Sequence, residues 1–153
     1  MNIPDPQTFT DPEKLRKLMA NAVRLGYDDL AFGCQMRIAE LVGTAHNDSD
    51  VEREFWTGLA AAEEFRTADN GRVTRLVKVR AKHKRVGTEK LLSDQMMDEA
   101  LSDGFDKLVA HGRGDLTAEA IVLRHEDSFS VDVVNAARKK LMDKGVAVAD
   151  VVG

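Results

Sequence analysis

Apolar residues recur at every third or fourth position in several segments of this chain, and each segment is bounded by residues that start or end helices. Leu15, Leu18 and Leu25 belong to one such series, which follows the sequence Thr-Asp-Pro-Glu at 10–13 and stops before Gly26. A capping box with proline just inside the helix start begins a helix, and glycine directly after the last turn ends it. The spacing therefore predicts an amphipathic helix up to Gly26.

The same reading predicts further helices along the chain. They cover 28–41 with Gly43 as the stop, 50–70 after Ser49, 88–101 capped by Thr88, a short one from Phe105 to Gly112, 117–123 capped by Thr117, and one that begins after Ser130 and stops at Gly145. We predict an all-α fold, a compact bundle of about six or seven short helices joined by loops that contain Gly, Asp and Ser. The helix over 50–70 holds the densest aromatic cluster, so we expect it to lie at the centre of the core.

Length and composition indicate one domain. A chain of 153 residues is long enough for a core of its own, and with only 5% aromatic residues that core must be built mainly from Leu, Val, Ala and Met. Prolines at 4, 6 and 12 predict an extended lead-in over 1–9, followed by a helical domain over 10–145. The apolar tail, 146–153, fits either a docked strand or a frayed end. The segments 52–56, 70–75, 104–105 and 116–120 resemble those of small bacterial proteins, which implies one natural domain and no particular activity.

Cysteine usage and hydropathy bear on the setting of the protein. Cys34 is the single cysteine and lies between Phe32 and Met36, which is typical of an inert buried thiol. A chain without an internal disulfide fits a reducing compartment, so we expect a cytoplasmic protein. The first eleven residues lack the apolar segment of a signal peptide, and no apolar run approaches the length of a membrane span.

Positive charge is concentrated in one short segment. Seven Lys and Arg and no carboxylate occur over residues 72–85, whereas the rest of the chain carries 15 basic and 26 acidic residues. The net charge of −4 is thus +7 within fourteen residues and −11 elsewhere. The candidate binding residues of this basic segment are Arg72, Arg75, Lys78, Arg80, Lys82, Lys84 and Arg85. A basic segment on an acidic body is typical of proteins that bind a polyanion.

Two secondary structures fit the basic segment. Alternation of apolar and basic residues from Val77 to Lys84 favours a strand, but no partner strand precedes the turn signal at Asn70-Gly71. If the segment is a helix, one face of it holds Arg75, Lys78, Lys82 and Arg85. We predict the helix, with its C-terminal half projecting from the body or gripping a ligand, and keep the strand as the alternative.

The charge pattern gives three functional hypotheses. The first is a nucleic-acid-binding protein, with duplex DNA as the expected ligand. The charges are not accompanied by aromatic residues on which the bases of a single strand could stack, or by a large apolar stripe that could enter a membrane. The second is a helical adaptor that docks on an acidic protein surface, which could belong to a second copy in a homodimer. The third is a metal-dependent nuclease that uses Glu63 and Glu64, or Asp94, Asp98 and Glu99.

Motifs for other chemistry are absent from the sequence. The four histidines do not have metal-ligand spacing, and the chain contains neither a G-x-S-x-G motif nor a glycine-rich phosphate loop. His83 lies among like charges, which predicts a neutral hydrogen-bonding group. We therefore expect no cofactor, no resident metal and no catalytic residues, and a binding protein rather than an enzyme.

Overall fold

The computed structural model describes residues 3–153, and helices are the regular secondary structure found in that part of the chain. The predicted all-α fold is confirmed. The helices are α1 (Pro12–Leu25), α2 (Asp28–Thr44), α3 (Asp50–Asn70), α4 (Val77–Val86), α5 (Thr88–Met97), α6 (Phe105–Ala110), α7 (Ala118–Arg124), α8 (Val131–Asp143) and α9 (Val148–Val152). Short 3-10 turns lie at Pro6–Thr8, Gly114–Leu116 and Glu126–Ser128.

Helix α3 lies at the centre of the bundle, as its aromatic residues predict. Nine of its residues are buried, in an unbroken run from Leu59 to Phe65 and at two positions before it. Helix α2 packs along α3 in the antiparallel direction, because Phe32 stacks on Phe65 near one end and Gly43 meets Thr57 near the other. This central position lets α3 contact helices from both halves of the chain.

The close approach of α2 to α3 explains why Gly43 does not end α2, contrary to the sequence prediction. The helix continues to Thr44, and Gly43 is buried inside it. A Cβ atom at this position would overlap the hydroxyl of Thr57 and lie 2.9 Å from the carbonyl oxygen of Arg53. Glycine is needed here for contact between two helices rather than for a turn.

Helices α5, α7 and α8 build the main core with α3. Leu91 and Leu92 of α5, Ile121 of α7 and Leu141 of α8 are almost completely buried in one apolar cluster. Helix α9 adds the buried Val151, so the tail is a docked helix and neither of the two predicted forms. Helix α5 ends at Met97, four residues before the predicted end.

A second cluster joins α1 to α2 and contains the single cysteine. Cys34 is buried beside Leu15 and Ile38, and burial raises the pKa of its thiol. A thiol in an apolar setting with a raised pKa forms little thiolate, so the packing supports the prediction of an inert side chain. None of the helices in residues 3–153 combines the length and the apolar composition that crossing a bilayer requires.

Candidate nucleic-acid interface

The buried carboxylate of Glu63 holds the basic segment against α3. Glu63 is only 1% exposed, and it accepts hydrogen bonds from Nε and Nη2 of Arg80, both at 2.7 Å. The backbone amide of Leu76 donates a further bond at 2.9 Å, and Nη1 of Arg75 lies 3.3 Å from the same carboxylate. One buried acidic group therefore fixes both the start of α4 and its middle turn.

This ion pair remains charged at neutral pH. Burial by itself would raise the pKa of Glu63, but the hydrogen bonds from Arg80 and the Leu76 amide outweigh burial and lower the pKa below its ordinary value. The hydrogen bond with Glu63 in turn raises the pKa of Arg80. Hydrogen bonds and an opposite charge that favour the ionised form are the usual cause of such shifts. The side chain of Arg80 thus forms a structural ion pair with Glu63.

A second carboxylate of α3 holds the other end of α4. Nε2 of His83 lies 3.0 Å from Oε1 of Glu52 and 2.8 Å from the hydroxyl of Thr88, which itself donates to Glu52. The ring of His83 also stacks on Phe55, with centroids 4.9 Å apart. Thr88 was expected to cap α5, but Gly87 occupies the cap position and the Thr88 hydroxyl serves this contact instead.

Trp56 lies between the two anchoring carboxylates along α3. Its indole Nε1 donates to Glu52 at 2.8 Å, His46 stacks on it at 4.1 Å, and the guanidinium of Arg80 lies 5.3 Å from the ring centroid. Burial would raise the pKa of Glu52, but the hydrogen bonds from Thr88 and Trp56 and the nearby His83 lower it. The inner face of α4 is thus held by a connected set of polar and aromatic contacts.

The loop before α4 folds back along α3 instead of continuing as helix. The amide of Thr74 donates to the hydroxyl of Thr67 at 3.0 Å, and the side-chain amide of Asn70 donates to the hydroxyl of Thr74 at 3.0 Å. The predicted helix is confirmed for Val77–Val86 and is wrong for 72–76. The single face of Arg75, Lys78, Lys82 and Arg85 is therefore not formed as predicted, because Arg75 precedes the helix.

The projecting C-terminal half that the sequence predicted is also wrong. Arg80 and His83 both turn toward α3, and their carboxylate partners keep the last turns of α4 against the body. Helix α4 contains no fully buried residue, but Val79 and Val86 pack against the core from its inner side. The last turns were predicted to lack an apolar side, which is wrong because Val86 packs on the core, and the carboxylates of Glu52 and Glu63 add polar anchors to that side.

The seven candidate residues divide into two groups. Three are paired with carboxylates: Arg80 and Arg75 with Glu63, and Lys82 with Asp94, whose Oδ2 lies 2.8 Å from Nζ. The other four are exposed and, among the described residues, have no carboxylate oxygen within 4.0 Å: Arg72, Lys78, Lys84 and Arg85. The basic segment is therefore only partly neutralised by the protein's own acids.

Three of the unpaired cations share one side of α4. By the helical period of 3.6 residues, Lys78, Lys84 and Arg85 surround Val77 and Ala81 on the side of α4 that points away from Val79 and His83. We call this side of α4, together with the preceding Arg72, the α4 face. It contains cations and two small apolar residues and no acidic side chain.

Sequence reasoning missed the acidic partners of α4. Glu52 and Glu63 are eleven residues apart, about three helical turns, and therefore lie on the same stripe of α3 as Trp56 and Thr67. Carboxylates on a stripe that also carries an indole ring are a signal for buried ion pairs. That signal could have separated the structural arginine, Arg80, from its exposed neighbours.

Three carboxylates of the nuclease hypothesis are held in ion pairs: Glu63, Glu64 and Asp94. Glu64 accepts from Nη1 and Nη2 of Arg16 at 2.9 and 3.1 Å, so it points away from Glu63 and toward α1. Asp94 is held by Lys82 and Lys90. Within residues 3–153, no group of three or more His, Cys, Asp or Glu side chains is placed to hold a metal ion.

Comparison with known proteins found no family model that matches the sequence, no curated protein with significant similarity and no solved structure that matches the fold. The role of the α4 face must therefore be inferred from its own charges and contacts.

Proposed function

We propose that the protein binds nucleic acid, in particular duplex DNA, through the α4 face. The observation that supports this most directly is the division of the basic segment. Arg80, on the inner side of α4, has a buried acidic partner, whereas the four exposed cations have no carboxylate oxygen within 4.0 Å in the described residues. A surface of uncompensated cations on a chain of net charge −4 attracts a polyanion.

The dimensions of the α4 face suit a duplex. Lys78 and Arg85 are seven residues apart, which is about 10.5 Å along the helix axis. The major groove is about 12 Å wide, so cations near the two ends of α4 can reach phosphates on both sides of it. Val77 and Ala81, which lie between them, are small enough to allow close approach.

Arg75 is available as a fifth contact. Glu63 already accepts two bonds from Arg80 and one from the Leu76 amide, so the single bond from Arg75, at 3.3 Å, is the weakest of the set. The side chain of Arg75 is 53% exposed. An ion pair at such a position is worth only about 0–1 kcal/mol, so Arg75 can turn to a phosphate at little cost.

Binding of this kind is strongly salt-dependent and weakly sequence-specific. If five side chains each neutralise one phosphate of B-DNA, log K falls with log salt at a slope of about −4.5. The α4 face carries no aromatic side chain on which an unpaired base could stack, which favours duplex over single strands.

The test is the affinity of the purified protein for a labelled duplex across a salt series. We expect the combined replacement of Arg72, Lys78, Lys84 and Arg85 by Gln to reduce the slope by about 3.6. Because these side chains are exposed and unpaired, the circular dichroism of the variant should match that of the wild type. The matched control replaces Lys90, Arg138, Lys139 and Lys144, which changes net charge equally. Unchanged affinity in the α4 variant would contradict the proposal.

One observation favours a second candidate, an adaptor that docks on an acidic protein surface. Val73 and Val77 are 68% and 70% exposed beside the cations, and phosphate contacts alone do not need them. Protein interfaces, in contrast, use apolar residues surrounded by charges. Replacing both valines by Ser should leave duplex affinity within about twofold if DNA is the ligand. If the variant with both valines replaced no longer binds an acidic protein, or no longer forms a homodimer that the wild type forms in sedimentation, the adaptor is favoured.

A further inference from the structure

Helix α1 carries a second row of unpaired cations. Lys14, Lys17, Asn21 and Arg24 follow each other at intervals of three and four residues, so they share one side of the helix, and all four are exposed. Among the described residues, none of the three cations has a carboxylate oxygen within 4.0 Å. We call these four residues the α1 row. The acidic residue within α1, Glu13, lies in the first turn, where the helix dipole favours it.

Two adjacent carboxylates of α3 tether α1 and α4. Glu63 binds Arg80 of α4, and Glu64 binds Arg16 of α1 through both of its oxygens. Consecutive residues of an α-helix point in directions about 100° apart. The two basic helices are therefore tethered to α3 in directions about 100° apart and not on opposite sides of it.

The direction of α1 brings its end close to the start of the basic segment. Helix α1 runs antiparallel to α2 across the turn at Gly26, and α2 runs antiparallel to α3, so α1 and α3 are parallel. Arg16 is level with Glu64. Arg24, eight residues or about 12 Å further along α1, is then level with residue 72, just beyond the end of α3. Arg24 and Arg72 thus lie at the same end of the bundle.

Helix α8 shows that basic residues on a helix of this protein are not generally left without partners. Arg138 pairs with Glu126 at 3.1 Å, and Lys139 pairs with Asp143 at 2.8 Å. Nζ of Lys140 donates to the carbonyl oxygens of Gln95 and Ala100. The three cations of α8 are therefore engaged within the molecule, in contrast to the three of the α1 row.

We propose that the α1 row is the second part of the phosphate-binding surface, and that one duplex contacts both the α4 face and α1. Lys14, Lys17 and Arg24 neutralise phosphates, and the side-chain amide of Asn21 donates to a phosphate or sugar oxygen between them. This inference rests on the proposed function. Three further phosphate contacts add to the five from the basic segment, so the slope of log K against log salt becomes about −7.

The experiment compares three proteins that each differ from the wild type in charge. The α1 variant replaces Lys14, Lys17 and Arg24 by Gln, the α4 variant is the one described above, and the control replaces Arg138, Lys139 and Lys144 of the α8 region by Gln. Binding of each to a labelled 20-base-pair duplex is measured between 50 and 200 mM salt. We expect the α1 variant to reduce the slope by about 2.7, while the control keeps the wild-type slope.

The outcomes separate this inference from the proposed function. If the α1 variant keeps the wild-type slope while the α4 variant loses most of it, the role of α1 is refuted and the α4 face stands. An equal loss in the α1 variant and the control would show that only net charge matters, which also refutes it. If the wild-type protein does not bind the duplex, both proposals fail. Because the replaced side chains of α1 are exposed, unfolding in urea should be unchanged, which excludes a loss caused by misfolding.

Discussion

Replacing Glu63 by Gln tests whether one buried carboxylate holds α4 in place. The substitution leaves the guanidinium of Arg80 facing a neutral amide that can accept through one oxygen only. Removal of one member of a buried ion pair costs about 3–5 kcal/mol. The side chain of Arg80 is 34% exposed and keeps some contact with water, so we expect a loss of about 2–3 kcal/mol in the free energy of unfolding. For a chain of this length that lowers Tm by roughly 4–12 °C.

The measurement is urea unfolding together with amide hydrogen exchange of α4. The matched control is Glu64→Gln, which breaks the neighbouring pair with Arg16 of α1 but has no contact with α4. Glu63→Gln should speed exchange in α4 relative to α7, whereas the control should not. A loss below about 0.5 kcal/mol, which is within the range of ordinary surface substitutions, would refute the reasoning, as would equal exchange in α4 for both variants.

The same pair makes stability depend on acid. The pKa of Glu63 is lower in the folded chain than its ordinary value of 4.5, so the unfolded chain binds more protons between the two values. The contribution of Glu63 is therefore complete above pH 4.5 and is lost as the pH falls through the folded-state pKa. Glu63→Gln should show a shallower loss of stability than the wild type in that range.

The remaining predictions concern close packing and a partly buried amine. Gly43→Ala should lower the free energy of unfolding in urea by about 1–3 kcal/mol, because the new methyl group overlaps Thr57. In the control, Gly33→Ala in the same helix, the methyl group meets only Pro6 at 3.4 Å, so the change should be neutral or stabilising by up to about 1 kcal/mol. Equal effects of the two substitutions would contradict the packing of α2 on α3. Burial lowers the pKa of Lys140 below 10.5, so the unfolded chain binds more protons than the folded chain between the two pKa values. The free energy of unfolding should therefore rise as the pH increases toward 10.5. If the stability of a Lys140→Gln variant rises equally, Lys140 is not the cause.

The helices were largely predictable because their signals are local. Ser49, Thr117 and Ser130 cap the helices that they were expected to begin, and Gly26 and Gly71 end theirs with positive φ angles of 77° and 71°. A cap or a stop involves only a few neighbouring residues, so the pattern identifies it without knowledge of the fold. The prediction that α3 is central was also confirmed, because clustered large aromatic residues must be buried somewhere.

The candidate site was only partly predictable. The sequence determines that seven cations occur within fourteen residues. Only the tertiary structure decides which of them are neutralised. Arg80 and Lys78 are alike in the sequence, but Arg80 faces Glu63, seventeen residues away, and Lys78 faces outward. Ion pairs depend on distances between helices, and those distances are set by contacts such as Gly43 against Thr57 that no local pattern contains. The same packing brings Arg24 of α1 to the same end of the bundle as Arg72, although nearly fifty residues separate the two in the chain.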